Sequence, residues 1–184
     1  LIPHLAGQRL EYLQLALREY RSGERPHAAL QQLFAELSEK DLNDVAAFYA
    51  GLPRIVPAGG TPAQAMAADA VAAGKTAAAA CATCHGADGN ATTPGMPSLA
   101  GQHRDYLIAV MQAYKDGTRK HAAMNTQMSG VDAVTLQNLA IYYAAQPLKA
   151  HARKASGDAA AGERLSAGCG SCHGLHGHTL DART

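Results

Sequence analysis

The chain has 184 residues and a formal net charge of +1, from 16 Lys and Arg against 15 Asp and Glu. That balance excludes a basic field for nucleic acid, and no run of eighteen apolar residues is present to cross a membrane as a helix. Apolar residues make up 47% of the sequence but aromatics only 5%, with no Trp. Much of the apolar content is alanine, which gives a thin core unless a bulky apolar group fills it.

In chain order, residues 1–57 read as helical, with Ser38 as the N-cap of a last helix and Asp41 as its capping-box partner. A linker follows over Ile55–Thr61, with Pro57, Gly59, Gly60 and Pro62 close by. The run Ala65–Ala80 predicts a helix that delivers Cys81 at its end. Gly86 to Pro97 predicts a loop, Gln102–Lys115 a helix, and the stretch holding Met124 and Met128 a second loop. A final helix starts near Asp132 and stops about Ala145, before Pro147. Leu148 to Ser156, with Lys149, Arg153 and Lys154, reads as an exposed linker and a weak docking patch for an acidic partner.

The chemistry lies in a signature that occurs twice, Cys81-Ala-Thr-Cys84-His85 and Cys169-Gly-Ser-Cys172-His173. Cys-x-x-Cys-His is the attachment site of a c-type haem. Two thiols at that spacing reach the two vinyl groups of one porphyrin, and the following histidine, His85 or His173, is placed to ligate the iron. The rival reading, zinc or redox-active Cys-x-x-Cys pairs, needs partner ligands or a βαβ context that the sequence lacks. Four cysteines are consumed and none remains for a disulfide, so two haem c groups per chain are expected. Haem is attached on the outer side of an energy-transducing membrane, which makes the periplasm the expected address. The chain opens without a leader-like segment, so any export signal is expected to lie outside this sequence.

The chain is also a repeat. Residues 1–57 match 95–151 without a gap: Pro3, Leu5-Ala6-Gly7-Gln8, Tyr12 and Arg25 fall on Pro97, Leu99-Ala100-Gly101-Gln102, Tyr106 and Arg119. Gly74-Lys75 to Cys81 likewise resembles Gly162-Glu163 to Cys169. Tandem copies of one small domain give such a pattern. Residues 62–149 hold a complete copy, 1–57 the C-terminal part of a copy without a haem motif, and 155–184 the N-terminal part with one. Three explanations stay open: ends cut from a longer protein, an unusually ordered two-domain chain, or completion of 1–57 by a neighbouring molecule in a head-to-tail or dimeric association.

The middle copy resembles a class I c-type cytochrome domain, and its details resemble the tandem cytochrome c4 type. Carrying the resemblance are Cys81 to Gly89, Pro97-Ser-Leu-Ala-Gly-Gln102, Tyr106-Leu107, the Gly117-Thr-Arg119 turn and Leu139-Ala-Ile-Tyr-Tyr-Ala144. The resemblance implies an all-α fold, tandem domains of three to four helices wrapped around covalent haem. It implies single-electron transfer between redox proteins, such as a membrane oxidoreductase and a terminal oxidase or reductase. Pro97 and Pro3 occupy the position whose carbonyl takes the second ring N–H of the ligating histidine. The sixth ligand is a thioether that raises the potential relative to two histidines, and Met124 is the expected donor, with Met128 in reserve.

The first copy departs from this pattern. Leu30 and Phe34 stand where Met124 and Met128 stand, and no Met occurs in residues 1–57. The alternatives are ligation by His27, an open iron, or a donor such as His4, His176 or His178. Tyr106 and Tyr12 are expected to pack against haem or helix, and Arg119 and Arg25 to pair with haem propionates or stand as solvated charges. An electron carrier, a haem subunit of a larger oxidoreductase and a ligand-binding or catalytic haem protein all remain as function classes.

Overall fold

The computed structural model describes residues 1–54, 68–150 and 156–178, and all regular secondary structure among them is helical. The first segment holds α1 (Leu10–Ser22), α2 (Ala28–Ala35) and α3 (Glu39–Gly51). The second holds α4 (Ala68–Ala77), a 3-10 turn over Ala78–Cys81, α5 (Ala82–His85), α6 (Arg104–Lys115), α7 (Ala122–Ser129) and α8 (Ala133–Ala145). The third holds α9 (Ala159–Leu165), a 3-10 turn over Ser166–Cys169 and α10 (Gly170–His173). The proposed linker around Pro57, the start of the Ala65–Ala80 helix, and Arg153 and Lys154 lie outside the described residues.

Local chemistry sets the boundaries. Ser38 caps α3 in a reciprocal box: its hydroxyl accepts from the Asp41 N–H, and the Asp41 carboxylate accepts from the Ser38 N–H at 2.9 Å. Asp132 caps α8 by accepting from Thr135 N–H at 2.9 Å. α1 buries Leu10, Leu13 and Ala16 at helical spacing and closes on Gly23, whose φ of +83° needs no Cβ. The segment with Met124 and Met128 is not a loop but a helix, α7, capped by His121.

Two structural units result. In the middle unit α4 packs across α8, and Gly74 makes the crossing: a Cβ there would lie 2.1 Å from the Asn138 carbonyl oxygen. In the second unit α9 packs across α3, where a Cβ on Gly162 would lie 1.9 Å from the Asp44 oxygen. The third segment thus docks on the first within one chain as the start of the middle unit docks on its own end. The parallel extends to the loops. Leu99 and Ala100 donate to the Gly89 carbonyl at 2.7 and 3.1 Å, and Leu5 and Ala6 donate to Gly177 at 2.9 and 3.3 Å. One core collects Leu107, Met111, Met128, Leu136, Leu139 and Tyr143, the other Leu10, Leu13, Val45, Phe48 and Tyr49.

The units meet across an approximate two-fold. Gln8 donates to the Ser98 carbonyl at 2.9 Å and accepts from its N–H at 2.8 Å. Gln102, the repeat partner of Gln8, donates to the His4 carbonyl at 3.0 Å and accepts from its N–H at 2.7 Å. Arg54 donates to both equivalent carbonyls, Ala6 at 3.0 Å and Ala100 at 2.6 Å. Leu148 packs on Gly7 at this joint, and Lys149 pairs with Asp88 at 2.5 Å, so residues 148 and 149 are docked rather than free.

Candidate haem sites

Each Cys-x-x-Cys-His sequence sits where a 3-10 turn passes into a one-turn helix. That geometry brings thiols three residues apart onto the same side of the turn, followed at once by the histidine. All four cysteines are free thiols. Burial raises the Cys81 and Cys169 thiols above their ordinary value, with Tyr143 beside the first and Tyr49 beside the second.

The two histidines are held identically. Nδ1 of His85 lies 3.0 Å from the Pro97 carbonyl, and Nδ1 of His173 lies 3.0 Å from the Pro3 carbonyl. A carbonyl only accepts, so each Nδ1 carries the proton and each Nε2 keeps its lone pair for a metal. Burial lowers both imidazoles below their usual value, which keeps that lone pair free of a proton. The carbonyls are fixed in turn by flanking bonds, Leu99 to Gly89 and Leu5 to Gly177. Gly86 and Gly174 make the tight exit from each motif. At φ of +78° and +69°, a Cβ on either would strike the carbonyl oxygen of Asn90 or His178, at 2.4 and 2.7 Å.

The opposite side of each site differs. Met124 is half-buried on α7 and packs against the core that also holds Cys81 and Leu99. Met128 is 1% exposed and fills that core. In the other unit Leu30 takes the place of Met124, and Phe34, 4% exposed, that of Met128. α2 faces the haem motif there: Leu33 Cδ1 lies 3.8 Å from a Cβ built on Gly168.

The remaining candidates are placed as follows. Nδ1 of His27 accepts from Leu30 N–H at 3.3 Å, as Nδ1 of His121 accepts from Met124 N–H at 3.3 Å. This is helix capping by an imidazole, and it puts the proton on Nε2. His4 stacks on His103 with centroids 3.7 Å apart, and Nε2 of His178 donates to the Pro53 carbonyl at 2.8 Å. His176 is exposed in the turn after its motif. Arg25 pairs with Glu19 at 2.5 Å and lies over the Tyr12 and Tyr20 rings, while Arg119 lies over Tyr114 at 4.9 Å. Tyr106 meets Tyr12 and Arg119 where the units join, and burial raises its phenol. The interface residues Gln8, Gln102 and Arg54 were not among the sequence candidates. Their signal was present, since Gln8 and Gln102 occupy one position of the repeat.

Free thiols, oriented imidazoles and apolar surroundings fit covalent haem c at both motifs. Comparison with known proteins agrees. Residues 71–142 match the family model described as cytochrome c. Cytochrome c-554(548) of Halomonas halodenitrificans is 41% identical over 78 residues, which is 41% of this chain and 94% of that protein. The chain therefore belongs to the cytochrome c family, as a class I c-type cytochrome that binds haem c covalently. Within that family it resembles cytochrome c4: the Pseudomonas aeruginosa protein is 37% identical over 117 residues, 61% of this chain and 58% of the relative. The chain thus spans little more than half the length of that relative. Among solved structures, a thiosulfate dehydrogenase from Marichromatium purpuratum superposes with a TM-score of 0.67 at 30% identity, over 83% of this chain and 34% of that one.

Proposed function

We propose that the chain carries single electrons between redox proteins through two haem c groups, one in each structural unit. The observation that carries this reading is the duplicated geometry itself: two Cys-x-x-Cys-His turns, each with its imidazole Nδ1 fixed at 3.0 Å on a proline carbonyl. Cys81, Cys84 and His85 hold one haem, with Met124 as sixth ligand; Cys169, Cys172 and His173 hold the other. When bound, the haem supplies a one-electron iron couple whose potential follows its axial ligands. The protein fixes the imidazole tautomer through Pro97 and Pro3, excludes water with the two helical cores, and sets the units in register through Gln8, Gln102 and Arg54. Tyr106 and Arg119, with Tyr12 and Arg25, form a polar seam at which haem propionates are accommodated. The periplasm is the compartment in which such attachment is made.

Segments 1–57 and 155–184 complete one haem unit inside a single chain, a reading supported by the Pro3–His173 bond and the α3–α9 crossing. Mass spectrometry with a haem count tests the cofactor assignment, and a potentiometric titration of the visible spectrum tests the carrier role. Two haems and two one-electron steps are expected; one haem or none sinks the reading. Light scattering over a range of concentrations should give a constant mass, whereas growth with concentration would mean completion by a neighbour. A second reading, haem subunit of a larger oxidoreductase, has the likeness to the Marichromatium enzyme in its favour. It predicts a tight partner protein in place of transient ones.

A further inference from the structure

We propose that the iron held by His173 is open on its Leu30 side and takes a small neutral diatomic ligand, of the carbon monoxide class, in the ferrous state. The inference rests on haem being attached at Cys169 and Cys172. Its first ground is replacement: Leu30 occupies the position of Met124 in a helix of the same length with the same histidine cap, so the backbone is kept and the sulfur is gone. Its second ground is the placement of the other donors. His27 lies nearest in sequence, but its Nδ1 lone pair receives the Leu30 N–H, and the tautomer that caps has no second lone pair to offer. Among the other described residues, His4 is stacked on His103, His178 is bonded to Pro53, His176 is exposed in the turn three residues after His173, and the buried Met128 and Met111 belong to the core of the other unit.

The class of ligand follows from what faces the motif. α2 has the sequence Ala-Ala-Leu-Gln-Gln-Leu-Phe-Ala, without a charged residue, and Leu33 of this helix approaches Gly168 beside Cys169. An anion would find no cation on this helix to receive it, whereas a neutral diatomic requires none. The two units then divide the work: one iron closed by sulfur and suited to outer-sphere transfer, the other able to report or react with a gas.

The test is the visible spectrum of the reduced holoprotein with and without carbon monoxide, alongside a pyridine haemochrome count. The expected result is two haems per chain, one of them shifted by the gas. Leu30→Met, a near-isosteric change, should abolish that shift and give the second iron a low-spin, sulfur-ligated spectrum. His27→Asn keeps a good N-cap and should leave the shift intact. Two haems with no shift, or a native low-spin spectrum that His27→Asn converts to high-spin, would overturn the inference while leaving the electron-carrier reading in place. Fewer than two haems would instead overturn that reading and this inference with it.

Discussion

The unit formed by residues 68–150 and the one assembled from 1–54 and 156–178 share one frame and differ in what they offer the iron. Crossing glycines, proline carbonyls, motif turns and even histidine caps correspond position by position. Met124 and Met128 of the one stand against Leu30 and Phe34 of the other, so thioether sulfur is present on one short helix and absent from its counterpart. The comparison shows that the frame depends on backbone geometry, which is why it survives while the ligand changes. It also shows one residue type used in two opposite ways. In His85 and His173, Nδ1 donates and Nε2 is free to bind a metal; in His27 and His121, Nδ1 accepts and the ring serves the helix.

The strongest way to break the equivalence is at the crossings. Gly74→Ala and Gly162→Ala each drive a methyl group into a helix backbone, at a cost of about 3 kcal/mol, the upper end of what overpacking costs. If the units are equivalent the two losses in chemical denaturation should match; a much milder effect of Gly162→Ala would mean that the third segment docks loosely. Met124→Leu should make the middle unit resemble the other. Its haem potential, read by potentiometry, should change by a sizeable part of the roughly 0.8 V that axial ligation spans, and a new spectral shift with carbon monoxide would show that this iron has been opened.

The joint offers a smaller test. Gln8→Ala and Gln102→Ala each strip two hydrogen bonds from a buried main-chain segment, for about 1–3 kcal/mol apiece. Unequal effects in thermal melts would show that the two-fold is geometric but not energetic. At position 4 the symmetry is already broken, because Ser98 stands opposite His4. Burial, with His103 and Arg54 adding to it, pulls the His4 imidazole from 6.5 down to about 3. The folded state therefore binds fewer protons than the unfolded one, so this contribution is complete above pH 6.5 and is lost as pH falls towards 3. His4→Ser should flatten the acid limb of a stability–pH curve, and an unchanged limb would assign acid sensitivity elsewhere. Smallest of all, Gly51→Ala meets nothing within 4 Å at the end of α3 and should stabilise by about 0.5–1 kcal/mol.

Much of this was legible in the sequence. The motifs, the repeat, the Ser38–Asp41 box and the Asp132 cap all rest on short-range rules, and the structure shows the two caps directly. The helix at Met124 was missed because its cap is a histidine rather than Ser, Thr, Asp or Asn, and because eight residues carry little periodic signal. The paired units were half visible: complementary pieces could be counted, but not the α3–α9 crossing or the His173–Pro3 bond between them. The Gln8 and Gln102 joint was invisible for a physical reason. Its bonds run from side-chain amides to main-chain groups 90 and 98 residues away, and main chain has no letter of its own.

That joint also bears on how such a molecule can change over time. Because the amides of Gln8 and Gln102 grip peptide groups and ignore the side chains attached to them, Ser98 and His4 are interchangeable to their partners. A duplicated pair held this way is free to drift in character, one half after the other, without the halves losing alignment. A difference such as Leu30 against Met124 therefore calls for no redesign of the dock, only a substitution on one short helix.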